Sequence, residues 1–309
     1  MGIVGLGKMG GSIALHCLDG GIRPVGKDRT EKPELERRGV KVVTDYGQFA
    51  NLLTPPRRIF LSLPAGDVVD RVIMELVPFL DAGDVLVDGG NSFWMDSVRR
   101  HKSLAERGIL FCDCGTSGGV EGARNGACFM VGGTPEAVAL VEPILKRLAV
   151  EGGYLHAGEP GSGHFVKLVH NGIEFGMLQA IGEGFALLRN SEFDLDLPAI
   201  FRNWSHGSVI RSWLVELMER GLREQGGIEN VPSYVEDTGE VNWLVQYAIN
   251  REVPVPVTAL AVMELFRSRQ PESDAHRAIA LMRHGFGGHP FGPDEYIRGE
   301  RSKSRLSKL

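Results

Sequence analysis

The chain has 309 residues, with a formal net charge of −5, 43% apolar residues and 24% charged residues. That length predicts two domains, each able to bury its own core, and the composition is an ordinary water-soluble one. The acidic balance argues against nucleic acid as a general partner. No apolar run approaches a membrane span and no charged-then-apolar leader precedes the first motif, so a cytoplasmic protein without a membrane partner is expected.

Residues 1–160 alternate short apolar runs with helical patterns. Strands are predicted at 2–4, 23–26, 58–63, 85–88, 110–113 and 128–131, with helices such as 10–18 and 68–80 between them. This rhythm predicts an α/β fold of Rossmann type, a doubly wound and mostly parallel sheet that binds ligands at the carboxyl ends of its strands.

The first strand runs into Gly5-Leu6-Gly7-Lys8-Met9-Gly10, a GxGxxG that opens a helix. Gly5 permits the turn, Gly7 lets backbone approach a pyrophosphate, and Gly10 lets helix pack on strand. The free N–H groups of the helix start, at Lys8 and Met9, face the phosphates. Asp28 ends the second strand, where a carboxylate accepts hydrogen bonds from an adenosine ribose diol and repels a 2′-phosphate. NAD is therefore the favoured cofactor. NADP stays open, because Lys27, Arg29 and Thr30 are neighbours able to contact a 2′-phosphate.

Leu63, Pro64 and Ala65 follow the third strong strand and are expected beside the cofactor. The next loop, Asp88-Gly89-Gly90-Asn91-Ser92, suits a segment holding both nicotinamide and substrate, with an Asn-Ser helix cap as the alternative. Cys17, Cys112, Cys114 and Cys128 show no metal-ligand spacing beyond a lone C-x-C on a strand, so buried reduced thiols and no metal site are expected.

After Gly161 the texture changes. Residues 162 to 189 contain no proline, and helical patterns continue to about 284 without strand alternation. Residues 161–309 therefore predict an all-α domain, entered through one long helix and ended by a polar, basic tail (298–309) that reads as a frayed terminus. On the long helix, Lys167, His170, Asn171 and Glu174 stand at i, i+3, i+4 and i+7 and share one face. Phe165, Val166, Leu168, Val169, Ile173 and Phe175 surround them. A narrow polar stripe in apolar surroundings predicts a buried helix lining a cleft; an exposed Lys–Glu stripe is the alternative. A desolvated, neutral Lys167 can take a hydroxyl proton while hydride leaves the same carbon. Glu174 can serve as a second acid, and His170 and Asn171 can bind substrate hydroxyls.

The run GHFVKLVHNGIE at 163–174 closely resembles the catalytic helix of the 6-phosphogluconate dehydrogenase family. DGGNS at 88–92 and SGGVEGA at 117–123 are similar to that family's loops, and the resemblance covers almost the whole chain. It implies oxidative decarboxylation of 6-phosphogluconate to ribulose 5-phosphate and CO2, with reduction of NAD or NADP. It also implies that Lys167 is the general base and Glu174 the acid that protonates the enediol. Asn91, Ser117, Gly118, Gly119, His170 and Asn171 would hold the substrate. RHGFGGH at 283–289 resembles a segment whose Arg and His, here Arg283 and His289, reach a neighbouring subunit's site and bind the phosphate end. That implies a homo-oligomer, dimer or tetramer.

Phe175 stands where the family usually carries a tyrosine that contacts the phosphate, and EDTGE at 236–240 lacks the lysine of the longer members. These departures favour a rival reading, NAD-dependent oxidation of an unphosphorylated β-hydroxy acid. A reading of another class, a catalytically silent dinucleotide sensor, predicts loss of Lys167 or Glu174, and both are present.

Overall fold

The computed structural model describes residues 1–270, 272–287 and 290–295; His289 and the tail 298–309 lie outside the described residues. Eight strands form one sheet: β1 (Gly2–Val4), β2 (Val25–Lys27), β3 (Lys41–Val43), β4 (Arg58–Leu61), β5 (Val85–Asp88), β6 (Leu110–Ser117), β7 (Ala127–Gly133) and β8 (Ala149–Gly158). Their spatial order is β3-β2-β1-β4-β5-β6-β7-β8. The first six are parallel, in the order of a dinucleotide-binding sheet. β7 pairs antiparallel with β6, and β8 is parallel to β7.

The connections carry α1 (Lys8–Asp19), α2 (Pro33–Arg37), α3 (Tyr46–Asn51), α4 (Asp67–Leu76), α5 (Trp94–Ala105), α6 (Gly119–Asn125) and α7 (Pro135–Leu148). Parallel strands covered on both sides read as unbroken apolar runs, and the parity of each residue decides its side. In β4, Ile59 and Leu61 pack with Phe49, Val69, Ile73 and Leu104 from α3, α4 and α5. Phe60, between them, packs with Ile13, Val141 and Leu145 from α1 and α7.

Two strands were not expected. β3 is only three residues long, and β8 is mostly exposed, contains Gly152 and Gly153, and pairs irregularly with β7. Neither carries a side-chain alternation to announce it. β6 and β7 outrun their predicted lengths, because the antiparallel ladder continues through Cys114–Ser117 opposite Cys128–Val131. Backbone pairing of that kind leaves no hydropathy signal. The thiols also differ from expectation: Cys17, Cys112 and Cys114 are buried, but Cys128 is exposed. Strand alternation turns it away from the face that takes buried Ala127 and Phe129, on the rung opposite Ser117.

The chain then turns at Gly161, which adopts φ 96°, into α8 (Ser162–Arg189), an unbroken 28-residue helix. α9 (Leu197–Trp204), α10 (Trp213–Glu224), α11 (Glu240–Asn250), α12 (Pro256–Ser268) and α13 (Asp274–Gly287) follow. Two small cores form along α8. Leu168 packs with Val241, Leu244 and Val262 near its start, and Phe185 with Phe201, Val215 and Leu222 near its end. The helix is less enclosed than expected: Ile173 is 60% exposed and Leu187 75%. α11 and α12 pack along α8, yet they leave this apolar flank of the single chain open. Among the described residues, no helix is long and apolar enough to cross a membrane.

Candidate active site

The start of α8 is pinned to the sheet by a carboxylate. The first N–H groups of any helix lack intrahelical partners, and α8 has no side-chain cap of its own. Asp113, fully buried on β6, fills that role: Oδ1 accepts from the Gly161 N–H at 2.6 Å and Oδ2 from the His164 N–H at 2.8 Å. Its negative charge also complements the positive end of the helix dipole. One turn on, His164 is buried with Nδ1 2.7 Å from Ser97 Oγ of α5. Gly115 of β6 lets the helix lie directly on the strand, since a Cβ there would sit 2.4 Å from Lys167 Cβ.

These contacts turn the polar stripe into a cleft of about 1330 Å3. Lys167, His170, Asn171 and Glu174 all line it, as do Ser117, Gly118 and Gly119. His170 Nε2 lies 3.1 Å from Ser117 Oγ, while its Nδ1 is 3.3 Å from Lys167 Nζ and 3.8 Å from Glu174 Oε2. Asn171 Nδ2 donates to Asn91 Oδ1 and to Glu240 Oε1, each at 3.4 Å. Asn91 therefore faces the cleft and is not a helix cap; α5 starts after Phe93 with no side-chain cap, and Ser92 Oγ instead donates to Asp88 at 2.8 Å.

Burial pushes Lys167 below the ordinary lysine value, against the opposing charges of Glu174, Cys128 and Glu240. Burial likewise lowers His170, and the Lys167 charge adds to it, with Asn171 and Glu174 opposing. Both shifts favour neutral nitrogen, which is what a proton acceptor needs.

At the other end of the same cleft are Gly7, Lys8 and Met9 of the GxGxxG, with Leu63 and Pro64. Gly5 and Gly10 are packing glycines: a Cβ would lie 2.3 Å from Ser62 O and 1.9 Å from Gly5 O, respectively. At Gly7 nothing lies within 4 Å of a Cβ, so the backbone at the start of α1 is open. Asp28 does not line the cleft. Its Oδ2 accepts from the Leu6 N–H at 2.8 Å, its Oδ1 from the Thr30 N–H at 3.3 Å, and Lys32 Nζ is 3.5 Å away. Burial alone would raise this carboxyl, but the N–H groups of Leu6, Thr30 and Arg29 and the Lys32 charge together hold it below its ordinary value.

Other candidate residues stand outside this cleft. Lys27 does not face a ribose; it is buried with its ammonium 3.8 Å from the centroid of the Tyr46 ring. Ala65 and Arg29 are exposed and do not line the cleft. Arg283 is exposed on α13 and does not line the cleft of its own chain. Residues the sequence did not single out for the site include Glu240 at the start of α11, Ser212 at the cap of α10, and Trp213 and Leu217 within it, which line the same cleft. Their place depends on how distant helices pack, which no local pattern encodes.

Residues 1–157 match the model of the NAD binding domain of 6-phosphogluconate dehydrogenase, and residues 163–289 that of the 6-phosphogluconate dehydrogenase C-terminal domain. A Haloferax volcanii protein named as an NAD(+)-dependent, decarboxylating 6-phosphogluconate dehydrogenase is 40% identical over 94% of this chain and 97% of its own. The Bacillus subtilis protein YqeC, provisionally named a 6-phosphogluconate dehydrogenase, is 44% identical over 94% of this chain and 98% of its own. Among solved structures, Plasmodium falciparum 6-phosphogluconate dehydrogenase, studied with its cofactor NADP+ and its substrate 6-phosphogluconate, superposes with a TM-score of 0.81 at 27% identity. The match covers 95% of this chain and 66% of that one. With both halves matched and the lysine-bearing helix set against the GxGxxG cleft, the chain belongs to the 6-phosphogluconate dehydrogenase family.

Proposed function

We propose that this protein oxidises and decarboxylates 6-phosphogluconate to ribulose 5-phosphate and CO2, with NAD as the preferred acceptor. The carrying observation is the continuity of one cleft, from Gly7 at the start of α1 to Lys167 and Glu174 on α8. The open backbone at Gly7 fits a dinucleotide pyrophosphate, and Asp28 fits a ribose diol. A nicotinamide held there would supply the acceptor for the hydride leaving the substrate carbon. Neutral Lys167 accepts the proton of the hydroxyl on that carbon. As an ammonium it then stabilises the oxygen that gains charge when the carboxylate departs as CO2 and leaves its electron pair behind. Glu174 delivers a proton to the enediol carbon, which completes the ketose. Asn91, Ser117, His170 and Asn171 hold the substrate hydroxyls, with the Gly118–Gly119 backbone close by.

The active form on this reading is a homo-oligomer. Ile173, Met177, Leu178 and Leu187 are exposed apolar side chains on α8, the first two of them on the cleft, and Arg283 with His289 are assigned to the phosphate end in a neighbouring subunit. Residues 1–160 carry the cofactor, and 161–309 supply most of the substrate site and the subunit contact.

The test supplies 6-phosphogluconate or gluconate, each with NAD and with NADP, and follows nicotinamide reduction together with CO2. The expected result is one CO2 per NADH from 6-phosphogluconate. Reduction without CO2 would sink decarboxylation, and equal rates with gluconate would sink the phosphate assignment. The second reading, an unphosphorylated β-hydroxy acid, is favoured by Phe175, which lines the cleft with no hydroxyl to donate. The gluconate arm decides between the two.

Cofactor preference has its own test. Asp28→Asn removes the charge that repels a 2′-phosphate, while Arg29 and Lys32 remain close by in sequence to receive one. The expected outcome is a fall in kcat/KM with NAD and a rise with NADP, shifting the ratio by roughly tenfold or more. An unchanged ratio would remove Asp28 from the selection of the cofactor.

A further inference from the structure

Arg100 takes no part in the chemistry above, yet its side chain is only 1% exposed and makes four hydrogen bonds. Nε and Nη2 grip Asp70 of α4 at 2.9 and 3.2 Å, and Nη1 donates to Asp88 Oδ2 at 3.1 Å. Nη2 also donates to the carbonyl of Gly66 at 3.1 Å. Asp88, fully buried at the end of β5, accepts in addition from Ser92 Oγ at 2.8 Å and from the Gly90 N–H at 3.1 Å. The Arg100 and Arg99 guanidiniums, Arg100 first, hold the Asp70 carboxyl down at about 2, so that partner stays charged.

One guanidinium thus joins the loop after β4 to the end of β5, where the next loop begins. The first presents Leu63 and Pro64 to the cleft, and the second presents Gly89, Gly90 and Asn91. The loops touch backbone to backbone, since a Cβ on Gly90 would lie 2.7 Å from Leu63 O. Asn91 in turn holds Asn171 on α8. Burying the Arg100 and Asp88 charges is costly, and apolar packing often stabilises a fold as well or better. What apolar packing cannot do is fix two loops at a set spacing through a planar, forked set of donors.

We propose that Arg100 is a positioning residue: by clamping Gly66 and Asp88 it sets the distance and angle between the cofactor loop and the substrate loop. The inference rests on reading these loops as the nicotinamide and substrate loops. Arg100→Lys keeps a positive charge for Asp88 but cannot reach Asp70, Asp88 and Gly66 together. Three quantities are measured on the full-length protein: NADH affinity by fluorescence, kcat per folded molecule, and the primary deuterium isotope effect with 6-phosphogluconate labelled at the oxidised carbon. The expected result is cooperative unfolding retained, NADH bound several-fold more weakly, kcat lowered by roughly tenfold to a hundredfold, and a larger isotope effect as hydride transfer becomes limiting. Activity that falls only with the folded fraction, with NADH affinity and isotope effect unchanged, would overturn the proposal. If Arg100→Lys does not fold, Asp70→Asn, which leaves the Arg100–Asp88 pair in place, decides by the same readouts in the same directions. A wild-type protein that fails to turn over 6-phosphogluconate defeats the functional reading instead, and NADH affinity of the variants still decides the role of Arg100.

Discussion

Lys167→Met is expected to lower kcat at least roughly a hundredfold while leaving NADH binding close to that of the wild type, as measured by steady-state kinetics and fluorescence titration. The split follows from position. Lys167 lies on α8 opposite the GxGxxG end of the cleft, and nothing in the cofactor cradle depends on its amine. Methionine keeps the apolar stem that packs on Gly115 and removes only the nitrogen. The pH profile supplies a second check. Burial lowers the proton affinity of Lys167, so the acid limb of kcat/KM should fall below the ordinary lysine range of about 10.4. Activity rises with pH along that limb as the amine loses its proton, and the limb should vanish from the residual activity of Lys167→Met. A variant with normal turnover would end the role of Lys167 as base.

Gly163→Ala should destabilise the joint between α8 and the sheet. The added Cβ would lie 2.5 Å from Met130 O, 2.6 Å from Gly132 N and 2.7 Å from Asp113 O, all backbone atoms of β6 and β7 that cannot swing aside. Overpacking of this kind costs about 1–3 kcal/mol, and more where backbone must move. A fall in Tm of roughly 5 °C or more is expected by calorimetry. Activity should fall further than stability, because the same shift draws Gly161 and His164 away from the Asp113 carboxylate and carries Lys167 with them. Gly221→Ala is the control. A methyl group there meets nothing within 4 Å, and the gain in helix propensity, about 1 kcal/mol, should stabilise α10. Equal effects from the two substitutions would refute the close-packed joint.

What was legible in the sequence was local. Gly5, Gly7 and Gly10 announce a strand–turn–helix, and the spacing of Lys167, His170, Asn171 and Glu174 announces one helical face; the cleft holds all four. What stayed hidden depends on partners far along the chain. Asp113 caps α8 from 48 residues before Gly161, and Glu240 meets Asn171 across 69. Arg100 reads as one more charge in a run of Arg99, Arg100, His101 and Lys102, although it is the buried member. Ile173 fails in the opposite direction. An apolar residue beside a polar stripe is expected inside, yet Ile173 is exposed where it lines the open cleft, and hydropathy alone does not distinguish a closed core from a cleft wall.

The rigid start of α8 also constrains how this chain can vary. Its 28 residues make a rod of about 42 Å, fastened at its first turn and carrying the proposed reactive groups on the turns that follow. One residue inserted or deleted between Lys167 and Glu174 would rotate everything beyond it by about 100° about the rod. Glu174 would then leave the cleft although its own residue type is unchanged. The same edit beyond Gly176 would spare the reactive groups and instead re-aim the far half of the rod, where Phe185 meets Phe201 and Val215. The helix therefore behaves as a keyed shaft: its near end sets the chemistry, and its far end sets only where the remaining helices stand.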